Sequence, residues 1–315
     1  MKAAIVRGPG QNPVYGEFEE PVAAAGEERV AVSAAAVSHL AKARAAGAHY
    51  SATARFPLVP GIDGVGRRDD GRRVYFFLPR APFGSMAEKT VVSVGKFIAV
   101  PDGLDDATAA AIANPGMSSW AAFTERAKLK AGETVLINGA TGSAGRLAVQ
   151  IARLFGAKKV IATGRKLEVL KALGADAIIP LVEDPAVLEE SFKPHFAQGV
   201  DVVLDYVWGK SAECLLAAAA KAAPEAMPIR VVQIGSLGGA NITLSSAVLR
   251  SSGIELMGSG IGSVPADRLV GAIGKLFEAA AAGRLTIAIK PVPLSSVEEV
   301  WPHDDSTRRI VFIIG

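Results

Sequence analysis

A run of small residues near the middle of the chain has the spacing of a phosphate-binding loop. In the segment 134–145, TVLINGATGSAG, the residues Ala140, Gly142 and Gly145 follow the pattern A-x-G-x-x-G. Small side chains at these positions let the chain turn sharply from strand to helix and let a pyrophosphate approach backbone N–H groups. An apolar strand precedes the pattern and an amphipathic helix follows it, as this motif requires. The sequence therefore predicts a dinucleotide site here, with a tight turn that binds no ligand as the alternative. The loop residues are Ala140, Thr141, Gly142, Ser143, Ala144 and Gly145.

Two basic residues follow the next predicted strand, at a position that discriminates between nicotinamide cofactors. Arg165 lies 20 residues beyond Gly145, where NAD-binding proteins carry an acidic residue for the ribose hydroxyls. The first carboxylate after it, Glu168, falls inside the next predicted helix. A guanidinium suits a 2′-phosphate by charge and geometry, so this position favours NADP(H). The alternative is a solvated basic pair at a helix start. The predicted contacts here are Thr163, Gly164, Arg165 and Lys166.

Alternating strands and helices must position these residues. From residue 133 onward, apolar strands predicted at 134–138, 159–163, 177–181, 200–207, 230–234 and 254–257 alternate with helices. The predicted helices are 143–155, 167–173, 210–221 and 266–282. Strands connected through helices form a parallel sheet that is covered on both faces. Six strands in this order predict an α/β fold with a doubly wound parallel sheet.

The first part of the chain has a different pattern. Short strand candidates lie at 3–7, 28–33, 73–77 and 96–100, with turn markers such as Gly8-Pro9-Gly10 between them. An Ala-rich helix is expected to end at Asn114-Pro115-Gly116, and a new helix is expected over 117–128. The tail 286–315 has short β-like runs that we expect to return to the first domain. The predicted domains are 1–113, 114–261 and 262–315, the last of which rejoins the first.

Charge and composition exclude several classes of function. The 315 residues include 34 Lys plus Arg and 31 Asp plus Glu, a net charge of +3 without a dense basic block, which disfavours nucleic-acid binding. A single cysteine, Cys214, excludes an intramolecular disulfide and Cys-based structural zinc sites. The four histidines lack zinc-ligand spacing. The N-terminal apolar run ends at Val6, and no stretch of 18 apolar residues occurs, so we expect a cytoplasmic protein without a membrane partner.

These motifs resemble the medium-chain dehydrogenase/reductase superfamily, and in particular its zinc-free quinone oxidoreductase (zeta-crystallin-like) branch. The resemblance covers nearly the whole chain and is carried by the strand 1–7, the PGIDGVG segment 60–66, the glycine loop, VVLDY 202–206 and VQIGS 232–236. It implies a Rossmann domain inserted in a partly open, β-barrel-like (GroES-like) catalytic domain. It also implies a homodimer through the last Rossmann strand, 254–257, whose uncovered apolar edge invites pairing.

The resemblance extends to individual residues and shows where this chain departs from the family pattern. Gly116-Met117-Ser118 is similar to a Gly-Leu-Thr motif whose hydroxyl lies near the nicotinamide, which implies that role for Ser118. Zinc-dependent relatives carry a cysteine near Ser38 and a Gly-His-Glu motif where this chain has Gly61-Ile62-Asp63. Quinone reductases usually have Asn at the place of Ser38 and often Tyr near Leu181, and both are absent here. The residues implied at the end of the fifth strand, beside the nicotinamide, are Gly235, Ser236 and Leu237.

The resemblance implies an NADPH-dependent reductase that transfers a hydride to a quinone or another conjugated carbonyl without zinc. Such acceptors are already electron-poor, and the cofactor supplies the hydride. Candidates for positioning the substrate or relaying a proton are His39, His49 and Tyr50, with surface or packing roles as the alternative for each. Two other functions stay open. One is an alcohol, aldehyde or enoyl-thioester oxidoreductase, and the other is a non-catalytic NADPH-binding structural or sensor protein.

Overall fold

The chain divides into two units, each with its own sheet and its own core. The computed structural model describes residues 1–47, 55–303 and 307–315, so that His49 and Tyr50 lie outside the described residues. Unit 1 comprises Met1–Asn114 and Ile273–Gly315, and unit 2 comprises Pro115–Ala272. Within the described ranges, no helix is both long enough and apolar enough to cross a membrane.

The secondary structure alternates most regularly in unit 2. In chain order the strands are β1 (Lys2–Ile5), β2 (Val14–Glu17), β3 (Glu27–Ala36), β4 (Asp63–Arg68), β5 (Arg73–Phe77), β6 (Lys89–Ser93), β7 (Phe97–Ala99), β8 (Thr134–Asn138), β9 (Lys159–Gly164), β10 (Ala177–Pro180), β11 (Val202–Asp205), β12 (Pro228–Gln233), β13 (Gly253–Gly258), β14 (Ile289–Pro293) and β15 (Arg309–Ile313). The helices are α1 (His39–Ala45), α2 (Asp106–Ala121), α3 (Ser143–Leu154), α4 (Leu167–Lys171), α5 (Pro185–Ala197), α6 (Gly209–Ala222), α7 (Ser246–Arg250), α8 (Ala266–Ala281) and α9 (Val297–Val300). A π-helical turn, Ala122–Ala127, follows α2 directly.

Unit 2 is built on a six-stranded sheet in the order β10-β9-β8-β11-β12-β13, and every neighbouring pair in it is parallel. The order reverses between β8 and β11, which is the switch point where ligands bind in this class of sheet. Strands β8 and β11 are buried along their whole length, as expected for central strands covered on both faces. The predicted doubly wound parallel sheet is confirmed, and so is each of its six strands.

Helix α5 was not predicted, although its start carries a recognisable signal. Asp184 caps the helix by accepting hydrogen bonds from the amides of Ala186 and Val187, and Pro185 occupies the first turn. Pro194 within the helix obscures the pattern. Leu188, Phe192 and Phe196 are nevertheless buried in the core of unit 2. Burial of this face stabilises a helix that local propensity alone does not favour.

The predicted helix break at Asn114-Pro115-Gly116 is wrong. Helix α2 runs without interruption from Asp106 to Ala121 with Pro115 inside it, and the π-helical turn then continues to Ala127. A proline removes only one helical N–H, and a helix survives this when its flanks are well packed. The flanking residues 109–113 and 119–123 are buried, and this packing outweighs the local signal.

Unit 1 contains a seven-stranded sheet in which β14-β15-β3-β4-β5-β7 form a continuous path and β6 pairs with β3. A separate antiparallel pair joins β1 and β2. Strand β15 pairs with β3, so the C-terminal tail joins the N-terminal strands as expected. Strands β2, β4 and β6 were not predicted. In β4 the approach of β3 requires glycine, because a Cβ at Gly66 would lie 2.7 Å from Val30 Cγ1 and overlap the Ala31 carbonyl.

Candidate functional site

The turn between β8 and α3 leaves the helix N-terminus open to an anion. Gly139 has a positive φ of 91°, and its amide donates a hydrogen bond to Thr163 Oγ1 at 3.0 Å. The amide of Ala140 donates to the Thr163 carbonyl at 2.7 Å, which fixes the loop to β9. Helix α3 begins at Ser143, and its N-cap residue, Gly142, supplies no side-chain hydrogen bond. The first-turn amides of α3 therefore receive no side-chain cap from the N-cap residue, and they lie at the positive end of the helix dipole.

Two glycines of this loop have different structural roles. A Cβ at Gly145 would overlap the Gly139 carbonyl oxygen and lie 2.6 Å from Ala140 Cα, so only glycine permits α3 to pack this closely on the loop. A Cβ at Gly142 would meet no atom within 4 Å. Gly142 thus borders open space in front of the helix, which is the space that a pyrophosphate requires. These residues fit the group that the sequence motif implies.

A buried polar network supports the loop from below. Asn138 Nδ2 donates to Asp205 Oδ1 at 2.8 Å, and Asn138 Oδ1 accepts from Thr163 Oγ1 at 2.7 Å and from Ser211 Oγ at 3.1 Å. Asp205 Oδ1 also accepts from the amides of Val207 and Trp208. Burial raises the pKa of Asp205 above its ordinary value, and the hydrogen bonds oppose this rise. Thr163, predicted as a contact of the cofactor, is fully buried, and its hydroxyl contacts the loop backbone.

The basic pair follows directly after β9. A Cβ at Gly164 would lie 2.5 Å from Thr141 Cγ2, so this glycine lets the end of β9 approach the loop. Arg165 and Lys166 are exposed, and Lys166 is the N-cap of α4. Within the described part of the chain, Arg165 has no ion-pair partner. The nearby carboxylate of Glu168 is paired with Lys171 at 2.9 Å.

A second edge of the site lies after β12. The amides of Ile234 and Gly235 donate to the Asp205 carbonyl at 2.8 and 3.1 Å, which ties this segment to the end of β11. A Cβ at Gly235 would lie 2.6 Å from the Tyr206 carbonyl oxygen. Ser236 and Leu237 are exposed, and Leu237 shows 71% of its surface. The structure thus brings the ends of β8, β11 and β12 together at one edge of the sheet.

Ser118 is half-buried on α2, and its hydroxyl donates to the Pro115 carbonyl at 2.9 Å. Its neighbour Ser119 was not predicted as a site residue, and its hydroxyl is 2.8 Å from the Tyr206 hydroxyl and 3.0 Å from the Ala144 carbonyl oxygen. Ser119 and Tyr206 are 87 positions apart in the chain, and no local pattern connects them. The sequence signal that could have identified Ser119 is a polar hydroxyl side chain within an apolar stretch of a helix.

Two further residues named from the sequence, Ser38 and His39, lie in unit 1. Ser38 is buried and caps α1 by accepting from the Ala41 amide at 2.9 Å, and His39, the first residue of α1, is exposed. A buried pair that was not predicted also lies in this unit, in which the Tyr75 hydroxyl donates to Asp63 Oδ2 at 2.9 Å. Burial raises the pKa of Asp63 to about 6, although Arg309 acts to lower it.

Other residues with possible chemistry do not form a site. Cys214 is buried, its thiol lies 3.4 Å from the Pro185 carbonyl oxygen, and burial raises its pKa. His195 lies on α5, where burial and then Lys159 lower its pKa. Among the described residues, no group of three or more His, Cys, Asp or Glu could hold a metal ion.

The chain is similar to known oxidoreductases. The zinc-binding dehydrogenase family model matches residues 144–276. The chain is 29% identical to a probable NADPH-dependent quinone reductase of Emericella nidulans, over 96% of each chain. It is 36% identical to (+)-pulegone reductase of Mentha piperita, but over only 32% of this chain and 30% of that protein.

Solved structures resemble the whole chain. The quinone oxidoreductase of Thermus thermophilus, whose complex with NADPH is also solved, has a TM-score of 0.80 at 26% identity and covers 100% of both chains. A mycobacterial quinone oxidoreductase has a TM-score of 0.86 and covers 99% of both chains. Its sequence identity is 19%, so this second likeness concerns the fold alone.

Proposed function

We propose that this chain, a member of the medium-chain dehydrogenase/reductase superfamily in its quinone oxidoreductase branch, is an NADPH-dependent, zinc-independent reductase of quinones or other conjugated carbonyls. The observation that carries the proposal is the uncapped N-terminus of α3 behind Gly142, at the switch point of the parallel sheet. Similarity over the full length to NADPH-dependent quinone reductases supports the choice of cofactor and acceptor.

The residues of unit 2 suggest how the cofactor is held. The first-turn amides of α3 would bind the pyrophosphate, and Arg165 with Lys166 would bind the 2′-phosphate. Ser118 and the segment Gly235, Ser236 and Leu237 would border the nicotinamide. NADPH, when bound, would supply a hydride, and these residues would orient its nicotinamide.

Zinc independence is supported by the residues at the positions of zinc ligands in relatives. Ser38 and Ile62 stand where the resemblance places a cysteine and a histidine, and neither an isoleucine nor a capping serine is a zinc ligand of that class. An acceptor reduced without a Lewis acid must itself be electron-poor, which favours quinones and enones over simple ketones. His39, His49 and Tyr50 remain proposals for the residue that positions the substrate or returns the proton.

We also propose that the protein is a cytoplasmic homodimer. Strand β13 is an edge strand of its sheet and pairs only with β12 among the described strands, and Leu256 on it is 37% exposed. Such an apolar edge favours pairing with a second copy. A single cysteine suits a reducing compartment. Light scattering at micromolar concentration is expected to give twice the mass of 32.5 kDa, and a monomer would refute the dimer.

A screen of NADPH oxidation tests the proposed function. The purified protein is given NADPH with quinones, enones, enals, enoyl-thioesters or simple aldehydes, with and without a chelator. We expect turnover of quinones or enones that the chelator leaves unchanged. Turnover of simple aldehydes alone, or activity that disappears with the chelator and returns with zinc, would contradict the proposal. Tight NADPH binding without turnover of any acceptor would favour a structural or sensor protein instead.

A further inference from the structure

Two buried hydroxyl groups lie between helix α2 and the first turn of α3, entirely within unit 2. Ser119 is fully buried, and Tyr206 is 7% exposed. Their oxygens are 2.8 Å apart. Ser119 Oγ also lies 3.0 Å from the Ala144 carbonyl oxygen and 3.1 Å from the Pro115 carbonyl oxygen. One serine hydroxyl thus meets three possible partners.

The number of protons decides how these groups bond. The two carbonyl oxygens near Ser119 Oγ can only accept, so the serine proton goes to one of them and the Tyr206 hydroxyl donates to Ser119 Oγ. Ser119 has a single hydroxyl proton to donate. We take the Ala144 carbonyl as the acceptor, because it lies at 3.0 Å from Ser119 Oγ, whereas the Pro115 carbonyl lies at 3.1 Å and also accepts the Ser118 hydroxyl. The resulting chain of bonds runs from Tyr206 through Ser119 to Ala144.

The last bond in this chain acts on an amide of the proposed cofactor site. The Ala144 carbonyl and the Gly145 N–H belong to one rigid peptide plane, in which they point in opposite directions. A hydrogen bond that fixes the carbonyl therefore also fixes the direction of the N–H in the first turn of α3. At its other end, Tyr206 is anchored to the sheet, because its amide donates to the Asn138 carbonyl at 3.0 Å.

We propose that Ser119 and Tyr206 are positioning residues that aim the first-turn amides of α3 at the pyrophosphate of the cofactor. The proposal rests on the proposed function, since it assumes a dinucleotide at this helix. It assigns no role in the hydride transfer, so the hydroxyl pair should affect cofactor affinity and leave the chemical step unchanged. It also predicts no effect on the choice between NADPH and NADH, because both carry the same pyrophosphate.

The test compares Ser119→Ala, Tyr206→Phe and the double variant by fluorescence titration of NADPH and NADH. A hydrogen bond of ordinary net strength corresponds to a roughly threefold to tenfold rise in Kd for each single variant. The Kd of the double variant should be no higher than the higher of the two single-variant Kd values, because both substitutions break the same chain of bonds. The KM for NADPH should rise with kcat unchanged, and the ratio of the two cofactor affinities should stay constant.

A matched control is Thr124→Val. Its hydroxyl donates to the Trp120 carbonyl at 3.0 Å within the same helical segment, and this bond does not reach α3. The control should lower the melting temperature as much as the test variants do, or less, and leave both Kd values unchanged. Tyr206→Phe keeps the ring in the core and serves as the test on its own if Ser119→Ala folds poorly.

Unchanged Kd values, fully additive losses, or a fall in kcat at constant KM would each overturn the positioning role. These results are distinguishable from failure of the proposed function, which would appear in the wild-type protein. If the wild type bound neither NADPH nor NADH, the dinucleotide site itself would be wrong. If it bound NADPH but reduced no acceptor, the affinity comparison would still decide the role of the two hydroxyls.

Discussion

At the scale of single residues, Arg165 gives the most specific prediction about the cofactor, namely a preference for NADPH over NADH. It is exposed, lies directly after β9, and has no ion-pair partner within the described ranges. A charge-assisted hydrogen bond contributes about 1.5–3 kcal/mol, which corresponds to roughly 10- to 100-fold in affinity. Arg165→Ala is therefore expected to raise the Kd for NADPH by that factor and to leave the Kd for NADH nearly unchanged. Lys166→Ala should act in the same direction more weakly.

The control for this prediction is Lys171→Ala, which removes one positive charge from α4. Lys171 is paired with Glu168 at 2.9 Å, so its loss changes the net charge near the site without removing a proposed phosphate ligand. Titrations at one fixed ionic strength should show no change in the NADPH to NADH ratio for this variant. If Arg165→Ala lowered the affinities for NADPH and NADH equally, Arg165 would not be a ligand of the 2′-phosphate. The assignment of the glycine loop to the pyrophosphate would not be affected.

At the scale of elements, a substitution at the N-terminus of α3 is expected to change the stability of the protein and its affinity for NADPH in opposite directions. Gly142 is the N-cap, its φ of −79° suits any residue, and a Cβ there meets no atom. Gly142→Asp would cap the helix and interact well with its dipole, so the melting temperature is expected to rise. The same carboxylate would repel a pyrophosphate, and NADPH binding is expected to fall at least 100-fold, on the order of two charge-assisted hydrogen bonds.

Gly142→Asn is the matched variant, because asparagine caps a helix about as well as aspartate but carries no charge. We expect it to stabilise the protein similarly and to weaken NADPH much less than Gly142→Asp does. Thermal unfolding and fluorescence titration of the same samples measure both effects. Equal loss of binding in the two variants would show that the side chain blocks the site by size and would contradict an electrostatic role of the helix N-terminus.

The elements of unit 2 were predictable because they are specified locally. Strands β8 and β11 contain the apolar runs 135–137 and 202–204, and glycines mark where α3 begins and ends. The elements of unit 1 depend more on distant pairing. Strand β4 contains two glycines that lower its strand propensity, and it forms because β3 approaches its backbone closely. The contact between Ser119 and Tyr206 was not predictable either, because it joins distant residues and forms only when the sheet has assembled.

At the scale of the whole molecule, the two ends of the chain meet in unit 1 around a buried carboxyl group. Asp63 opens β4, Tyr75 lies on β5, and Arg309 opens β15. Asp63 is 2% exposed and accepts the Tyr75 hydroxyl. Burial raises its pKa from 3.8 to about 6, with Arg309 and the Tyr75 hydrogen bond opposing the rise. The folded protein therefore holds this proton at pH values where the unfolded chain has lost it.

This difference predicts how stability depends on pH. Below pH 3.8 both states are protonated, and the contribution of Asp63 to stability is fully present. As pH rises from 3.8 to about 6, the unfolded chain ionises first, and stability falls by on the order of 3 kcal/mol, since one pKa unit corresponds to about 1.4 kcal/mol. Asp63→Asn keeps an acceptor for the Tyr75 hydroxyl but does not titrate. We expect it to match the wild type near pH 4 and to exceed it by about that amount at pH 7.

Urea unfolding at several pH values measures the free energy of unfolding of unit 1. It is followed by the emission of Trp301 in a Trp120→Phe, Trp208→Phe background. Trp301 is the tryptophan of that unit and is buried in its core. Glu20→Gln, also in unit 1, is the control of opposite sign, because the hydrogen bond from Lys89 lowers the pKa of Glu20. That carboxylate contributes stability above its unfolded pKa, which is lost as pH falls, so its substitution should reduce stability at pH 7. A constant difference between Asp63→Asn and the wild type from pH 4 to 7 would show that Asp63 titrates alike in both states.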